Sequence, residues 1–278
     1  MKIHTSFRIG GDALLFIEPQ SVTELSSVIK KCCENKIEYF VLGNGSNLLV
    51  SDDGISKPVI HLGKGFDSIE MPDETTIVAK AGASLSSLCK YALSKELTGL
   101  EFAYGIPGSV GGAAFMNAGA YGGEMKDVVY SCSHIDQNGN FGSLKEEQLE
   151  FGYRRSAYSE NGFIITDVTF KLRKGHKDEI ESRMNELLQK RIDKQPLNYP
   201  SAGSVFKRPE GYFAGALIEQ SGLKGKTIGG AAVSEKHAGF IVNVGNATCS
   251  DVTRLIEFCR NTVFEKFGVM LETEIKRI

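Results

Sequence analysis

The sequence predicts an α+β fold built in more than one part, and three observations carry that expectation. Helical and strand patterns follow one another in irregular order, unlike the regular strand–helix alternation of a doubly wound parallel sheet. Period-two alternation flanks a tight turn in VVYSCSHID, QNGN and FIITDVTFKL, the chemistry of an antiparallel or mixed sheet. A charged helical stretch, DEIESRMNELLQKRIDK, stops at Gln195-Pro196, and Pro200 follows, which places a domain boundary there.

The elements follow in order. Ser21-x-x-Glu24 is a capping-box signal that opens the helix VTELSSVIKKCCENK. The strand YFVLG comes next, then GNGSN, then LLV. Taken alone, the N-G step reads as a hairpin turn joining two paired strands. The strand TIVAKAG at 76–82 leads into a helix capped by Ser84, SLSSLCKYALSKE. The last part carries a short helix near 213–221, a strand AGFIVN, and a helix from about 251 to 267. In that helix Val252, Leu255, Ile256, Cys259, Val263, Phe264 and Phe267 recur at helical spacing and are assigned to the core. LETEIKRI closes the chain with a strand-like alternation.

Composition excludes several classes of function. The chain has 278 residues, 41% apolar and 24% charged, with a net charge of −2 and no basic block, so a dedicated nucleic-acid surface is not expected. No apolar run approaches a membrane span, and MKIHTSFRIGGDALLF lacks a signal-peptide layout. The six cysteines show no C-x-x-C spacing, which points to a reducing cytoplasm, and the five histidines do not cluster as metal ligands. No metal is expected.

Candidate chemistry lies in five stretches. GIPGSVGGAAFMNAGAYGG (105–123) bares so much backbone that something must approach the main chain closely, and its N–H groups form a donor surface for an anion. The alternatives for this stretch are a linker or backbone-on-backbone packing; Val110, Phe115 and Met116 argue against a solvated linker. In VLGNGSNLLVSDDG (41–54), Asn44 and Asn47 tolerate left-handed φ and Ser46 can donate to a phosphate, but the third glycine of a dinucleotide fingerprint is Leu48. A Rossmann domain is rejected. FGYRRSAYSE (151–160) sets two arginines beside Tyr153, suited to a carboxylate or phosphate. PSAGSVFKRPEGYFAGALIEQSG (200–222) holds Ser204 without a histidine placed to make it a nucleophile; its hydroxyl can donate a proton or a hydrogen bond, the alternative being an N-cap or loop serine. LETE places Glu272 and Glu274 on one face of a strand.

Together and in order, these stretches resemble the UDP-N-acetylenolpyruvoylglucosamine reductase (MurB) family. TSFRIGGDA (5–13), GLEFAYGIPGSVGGAAFMNAGAYGGEM (99–125) and LIEQSGLKGKTIGGAAVSEKHAGFIVN (217–243) complete the match, which spans almost the whole chain. The intact GLKGKTIGGAAVSEKHAGF region and the short length resemble the compact second type. The resemblance implies a two-part α+β FAD-binding domain of the vanillyl-alcohol-oxidase/MurB type plus a smaller α+β substrate domain. The implied boundaries are 1–194 for the FAD-binding domain, with 270–278 returning to it, and 195–269 for the substrate domain.

It also implies residue roles. Gly43, Asn44, Gly45, Ser46 and Asn47 contact FAD, and Gly108, Ser109, Gly112, Asn117 and Gly119 do so by the same logic. FAD is held non-covalently, with NADPH as reductant. A hydride reaches the β-carbon of the enolpyruvyl group of UDP-N-acetylglucosamine enolpyruvate, and negative charge develops at the α-carbon and carboxylate. Arg154 holds that carboxylate, Glu274 assists in polarising it, and Ser204 delivers the proton to the α-carbon. Tyr153, Arg208, Lys224 and Lys226 are the substrate-binding candidates, with His237 nearby; Arg208 stands where many relatives have Asn, and Ala216 where a number have Lys. A small-molecule substrate, no nucleic acid, no membrane and a monomer are the expected partners and state. A flavin oxidase that tethers FAD is disfavoured, because 41–54 and 99–125 contain no histidine or cysteine. A non-catalytic nucleotide-binding module is disfavoured by the presence of Arg154, Ser204 and Glu274 together.

Overall fold

A computed structural model describes residues 1–278. They divide into two compact units: residues 15–44 with 57–190, and residues 1–14 with 45–56 and 191–278.

The first unit contains two main sheets. Phe16–Ile17, Phe40–Leu42 and Val59–His61 form a three-stranded parallel sheet with Val59–His61 in the middle. The helix Val22–Glu34 connects Phe16–Ile17 to Phe40–Leu42. Ser21 caps that helix, its Oγ accepting from the Glu24 N–H at 3.1 Å, and the Glu24 carboxylate accepts from the Gln20 N–H. A cap of this kind contributes about 1 kcal/mol. The second sheet is antiparallel throughout, ordered Phe141–Lys145, Val129–Ile135, Ile164–Lys171, Thr76–Lys80, Ile69–Glu70. The alternation read in VVYSCSHID and FIITDVTFKL is the burial of its central strands, where Cys132, Ile135, Val168 and Phe170 are sealed from solvent. The helix Leu85–Ser94, capped by Ser84, and the short helix Val110–Phe115 bury their apolar residues in the same core.

The second unit centres on a four-stranded antiparallel sheet ordered Ser201–Ser204, Phe240–Asn243, Ala231–Val233, Thr227–Ile228. The helix Cys249–Phe267 packs on it through Val252, Leu255, Cys259 and Val263. Phe264, assigned to this stripe from its spacing, is 48% exposed; it follows Val263 in sequence and is rotated off the buried face. Thr248 and Asp251 form a reciprocal capping box at the start of this helix, and Gly268 ends it with a left-handed φ.

One expectation is corrected. The GNGSN turn does not close a hairpin. Phe40–Leu42 pairs in parallel with Val59–His61, whereas Leu48–Leu49 pairs in parallel with Lys276–Arg277. Leu48–Leu49 binds the C-terminal strand, the Ser51 N–H donates to the Ile278 carbonyl and the Gly11 N–H to that of Ser51, so residues 1–14 and 45–56 join the C-terminal part of the chain. The compact units divide at 190/191, within the last turn of the charged helix Lys177–Lys194. No helix is long and apolar enough to cross a membrane.

Candidate functional site

The glycine-rich segment is fastened before it offers any surface. The Val110 and Gly111 N–H groups donate to the Ala83 and Ala81 carbonyls, and the Gly108 carbonyl accepts from the Leu85 N–H. Ser109, almost fully buried, caps the Val110–Phe115 helix through a 3.3 Å bond from the Gly112 N–H. Gly43 lies against it: a Cβ there would fall well inside contact distance of Ser109 Oγ. Two motifs more than sixty residues apart in sequence thus meet at a point where only backbone fits. Gly45 is required for a different reason. Its φ is 59°, and a Cβ would run into the His4 carbonyl.

The turn itself is a row of donors. None of the backbone N–H groups from Gly43 to Asn47 donates to another group of the chain. Consecutive main-chain donors with no internal partner, closed against a small buried serine, suit a diphosphate. These residues therefore fit FAD. The side chain of Asn47 also reaches the C-terminal segment, its Nδ2 donating to the Glu274 carbonyl at 3.2 Å.

Two other inferred contacts have structural work as well. Gly119 begins a two-stranded ribbon, Gly119–Ala120 with Gly123–Glu124, where a Cβ would press on Glu124. Asn117 is buried, and its side chain makes three hydrogen bonds within the protein. Backbone-on-backbone packing is thus one cause of the density of small residues in 105–123.

Tyr153 and Arg154 form the tip of a two-residue turn. Gly152 and Arg155 exchange both backbone hydrogen bonds across it. Arg154 has a left-handed φ of 56° and is half-buried, its guanidinium 5.2 Å from the centre of the exposed Tyr153 ring. Arg155 is exposed and reaches Glu160 at 3.4 Å. This contrast separates the two arginines that the sequence alone leaves side by side. The loop is held by Ser156 and Ser159, whose hydroxyls both donate to the Phe115 carbonyl, at 2.8 and 3.1 Å.

In the other unit, Ser204 ends the strand Ser201–Ser204, half-buried, its Oγ donating to the Phe206 carbonyl at 3.3 Å. The C-terminal segment runs antiparallel beside it: the Glu274 N–H donates to the Val205 carbonyl at 2.8 Å, and Phe206 bridges to Thr273. Glu274 is half-buried, whereas Glu272 is exposed and paired with Lys207 at 3.1 Å. Ser204, Glu274 and Asn47 are thereby joined within one unit, although they are far apart in sequence.

The substrate candidates divide. A Cβ added at Gly239 would lie near both Ser204 and His237, and the Gly239 N–H donates to His237 Nδ1, which places the proton of a neutral ring on Nε2. Burial holds His237 below the usual histidine range, and the Lys224 charge pushes the same way. Lys224 is paired with Glu219 at 2.6 Å. Arg208 stacks on the Phe213 ring at 4.0 Å, and the exposed Lys226 sits over the Phe258 ring at 4.8 Å. Ser204, His237 and Lys224 form one neighbourhood, whereas the Lys226 side chain lies on the Phe258 ring. Sequence reasoning missed the Phe115 carbonyl as an anchor; the pair of serines at 156 and 159 was the signal for it.

Comparison with known proteins gives consistent matches. The family model described as UDP-N-acetylenolpyruvoylglucosamine reductase, C-terminal domain, matches residues 195–278, and that described as FAD binding domain matches 13–144. Curated UDP-N-acetylenolpyruvoylglucosamine reductases from Clostridioides difficile (strain 630) and Clostridium botulinum (strain Okra / Type B1) are each 52% identical, over 99% and 100% of this chain and 90% of their own. The crystal structure of UDP-N-acetylenolpyruvylglucosamine reductase (MurB) from Thermus caldophilus superposes with a TM-score of 0.85 at 38% identity, over 99% of this chain and 96% of that one.

Proposed function

The chain belongs to the UDP-N-acetylenolpyruvoylglucosamine reductase family, and from that premise we propose that it reduces the enolpyruvyl group of UDP-N-acetylglucosamine enolpyruvate to UDP-N-acetylmuramate, with FAD as cofactor and NADPH as reductant, in peptidoglycan precursor synthesis. The observation that carries this reading is the Gly43–Asn47 turn, whose main-chain donors have no partner in the chain and which closes on Ser109. Bound FAD supplies hydride transfer from NADPH to the β-carbon of the substrate. The chain's own residues hold FAD without a covalent tether. Gly43, Asn44, Gly45, Ser46 and Asn47 offer main-chain donors to the diphosphate, and the segment bearing Gly108, Ser109, Gly112, Asn117 and Gly119 lies against the same cofactor.

Three side chains act on the substrate in this reading. Arg154 binds the carboxylate in a charge-assisted contact that strengthens as negative charge builds on it. Glu274 polarises the same group. Ser204 delivers a proton to the α-carbon, completing addition of a hydride and a proton across the double bond. Tyr153, Arg208, Lys224 and Lys226 contact the rest of the nucleotide sugar. The substrate-binding part is 195–269. Six free cysteines, five of them buried, accord with a cytoplasmic setting.

Anaerobic visible spectroscopy tests the reading. The flavin band of the purified protein is expected to bleach with NADPH and return with UDP-N-acetylglucosamine enolpyruvate. Return only on admission of oxygen would identify an oxidase, and a protein that cannot be loaded with FAD would refute the assignment.

A further inference from the structure

We propose that Asn117 is a positioning residue for Arg154: it clasps the turn that presents the arginine to the end of the glycine-rich segment, and does not act as a cofactor ligand through its side chain. The inference rests on the role given to Arg154 above. Asn117 is 1% exposed. Its Nδ2 donates to Glu124 Oε2 at 2.8 Å and to the Gly152 carbonyl at 2.9 Å, and its Oδ1 accepts from the Lys126 N–H at 3.0 Å. Both partners of Nδ2 are acceptors and the partner of Oδ1 is a donor, so this network fixes the orientation of the amide and uses both of its hydrogens. Glu124 is held in turn by Lys126 at 3.1 Å, which makes it a fixed acceptor.

The consequence falls on Arg154. Gly152 is the first residue of the two-residue turn, and its carbonyl accepts from both Asn117 and the Arg155 N–H. On the far side of the turn, Ser156 donates to the Phe115 carbonyl. Both feet of the turn are therefore tied to residues 115 and 117. An arginine side chain has many rotamers, and stabilising one developing charge requires its backbone to be held to a fraction of an ångström. The left-handed φ of Asn117, 43°, is tolerated by asparagine and glycine, which also explains why a side-chain clasp at this position is an asparagine.

The test uses the FAD-loaded enzyme and the variant Asn117→Gly, which keeps the left-handed backbone and deletes the clasp. Expected are parental FAD retention by ultrafiltration, flavin bleaching by NADPH close to the parent rate, and recovery with the enolpyruvyl substrate slowed about 100-fold, the scale of a 1 Å misplacement. Deuterium uptake should quicken in peptides covering 151–156 and not across the protein. In an Arg154→Ala background, Asn117→Gly should slow recovery no further. Loss of FAD, equal slowing of both half-reactions, multiplying losses in the double variant, or unchanged uptake in 151–156 would each overturn the proposal. If Arg154→Ala alone recovers at the parent rate, the role of Arg154 itself is refuted, and uptake in 151–156 still decides the clasp. Should Asn117→Gly not fold, Ser156→Ala removes the other foot, and a smaller loss in the same half-reaction is expected; a loss in the NADPH step instead would overturn it.

Discussion

Replacing Ser204 with alanine separates stability from chemistry. Ser204 Oγ makes one 3.3 Å hydrogen bond, to the Phe206 carbonyl, at the long end of the range. The residue is half-buried and ends a strand, so alanine fits its backbone. Loss of such a bond costs about 0.5–1 kcal/mol, or a fall of a few degrees in Tm at most. Loss of a positioned proton donor costs about 10²–10⁴ in rate, equivalent to about 3–5 kcal/mol of barrier. The two magnitudes differ enough to be read separately. Stopped-flow absorbance under anaerobic conditions is the assay. Ser204→Ala should be bleached by NADPH at the parent rate and recover at least 100-fold more slowly with the enolpyruvyl substrate. Equal slowing of the two steps, or recovery at the parent rate, would refute the proton-donor assignment.

Three further outcomes follow from the geometry. Gly45→Ala places a side chain at φ 59° against the His4 carbonyl; a cost of about 1–2 kcal/mol for the left-handed backbone alone and release of FAD into the filtrate on dilution are expected, and parental flavin retention would count against the turn as a cofactor cradle. Asp52 caps the Cys249–Phe267 helix, its carboxylate accepting from the Cys249 and Ser250 N–H groups at 2.7 and 3.0 Å; Asp52→Ala should lower stability by about 1–2 kcal/mol in urea melts, and Asp52→Asn by less, since it keeps one acceptor and loses the charge favoured at a helix N-terminus. Burial holds His134 below the usual histidine range, with Asp136 opposing, while Tyr158 Oη, 3.0 Å from its Nδ1, donates to the Cys132 carbonyl. The unfolded chain then binds the proton more readily, so stability is full above histidine's ordinary value near 6.5 and is lost as pH falls through the lower folded value. Urea midpoints from pH 7.5 to 5.5 should decline, and His134→Gln should flatten that decline; an unchanged slope would place the acid sensitivity elsewhere.

Much of the fold was legible because local chemistry settles it. Ser21, Ser84 and the stop at Gln195-Pro196 mark helix ends within a few residues of where they occur, and the buried alternation of Val129–Ile135 and Ile164–Lys171 follows from the period of a strand. The motifs bearing the proposed site were likewise visible as a glycine-rich run, an arginine pair, a loop serine and an acidic strand. The N-G step misled, because the same two residues that turn a hairpin also let a chain turn away into a different sheet.

The residue types and the order of local elements were determined by the sequence by itself, since propensity, capping and hydrophobic period act over a few positions. Which segments meet was decided only by tertiary structure. Gly43 against Ser109, Asn117 on the Gly152 carbonyl, Glu274 beside Val205, and Leu48–Leu49 with the C-terminal strand are pairings between distant positions, selected by burial of a shared core and the need to satisfy every backbone donor. No short-range pattern encodes them, because their free energy appears only when both partners are brought together.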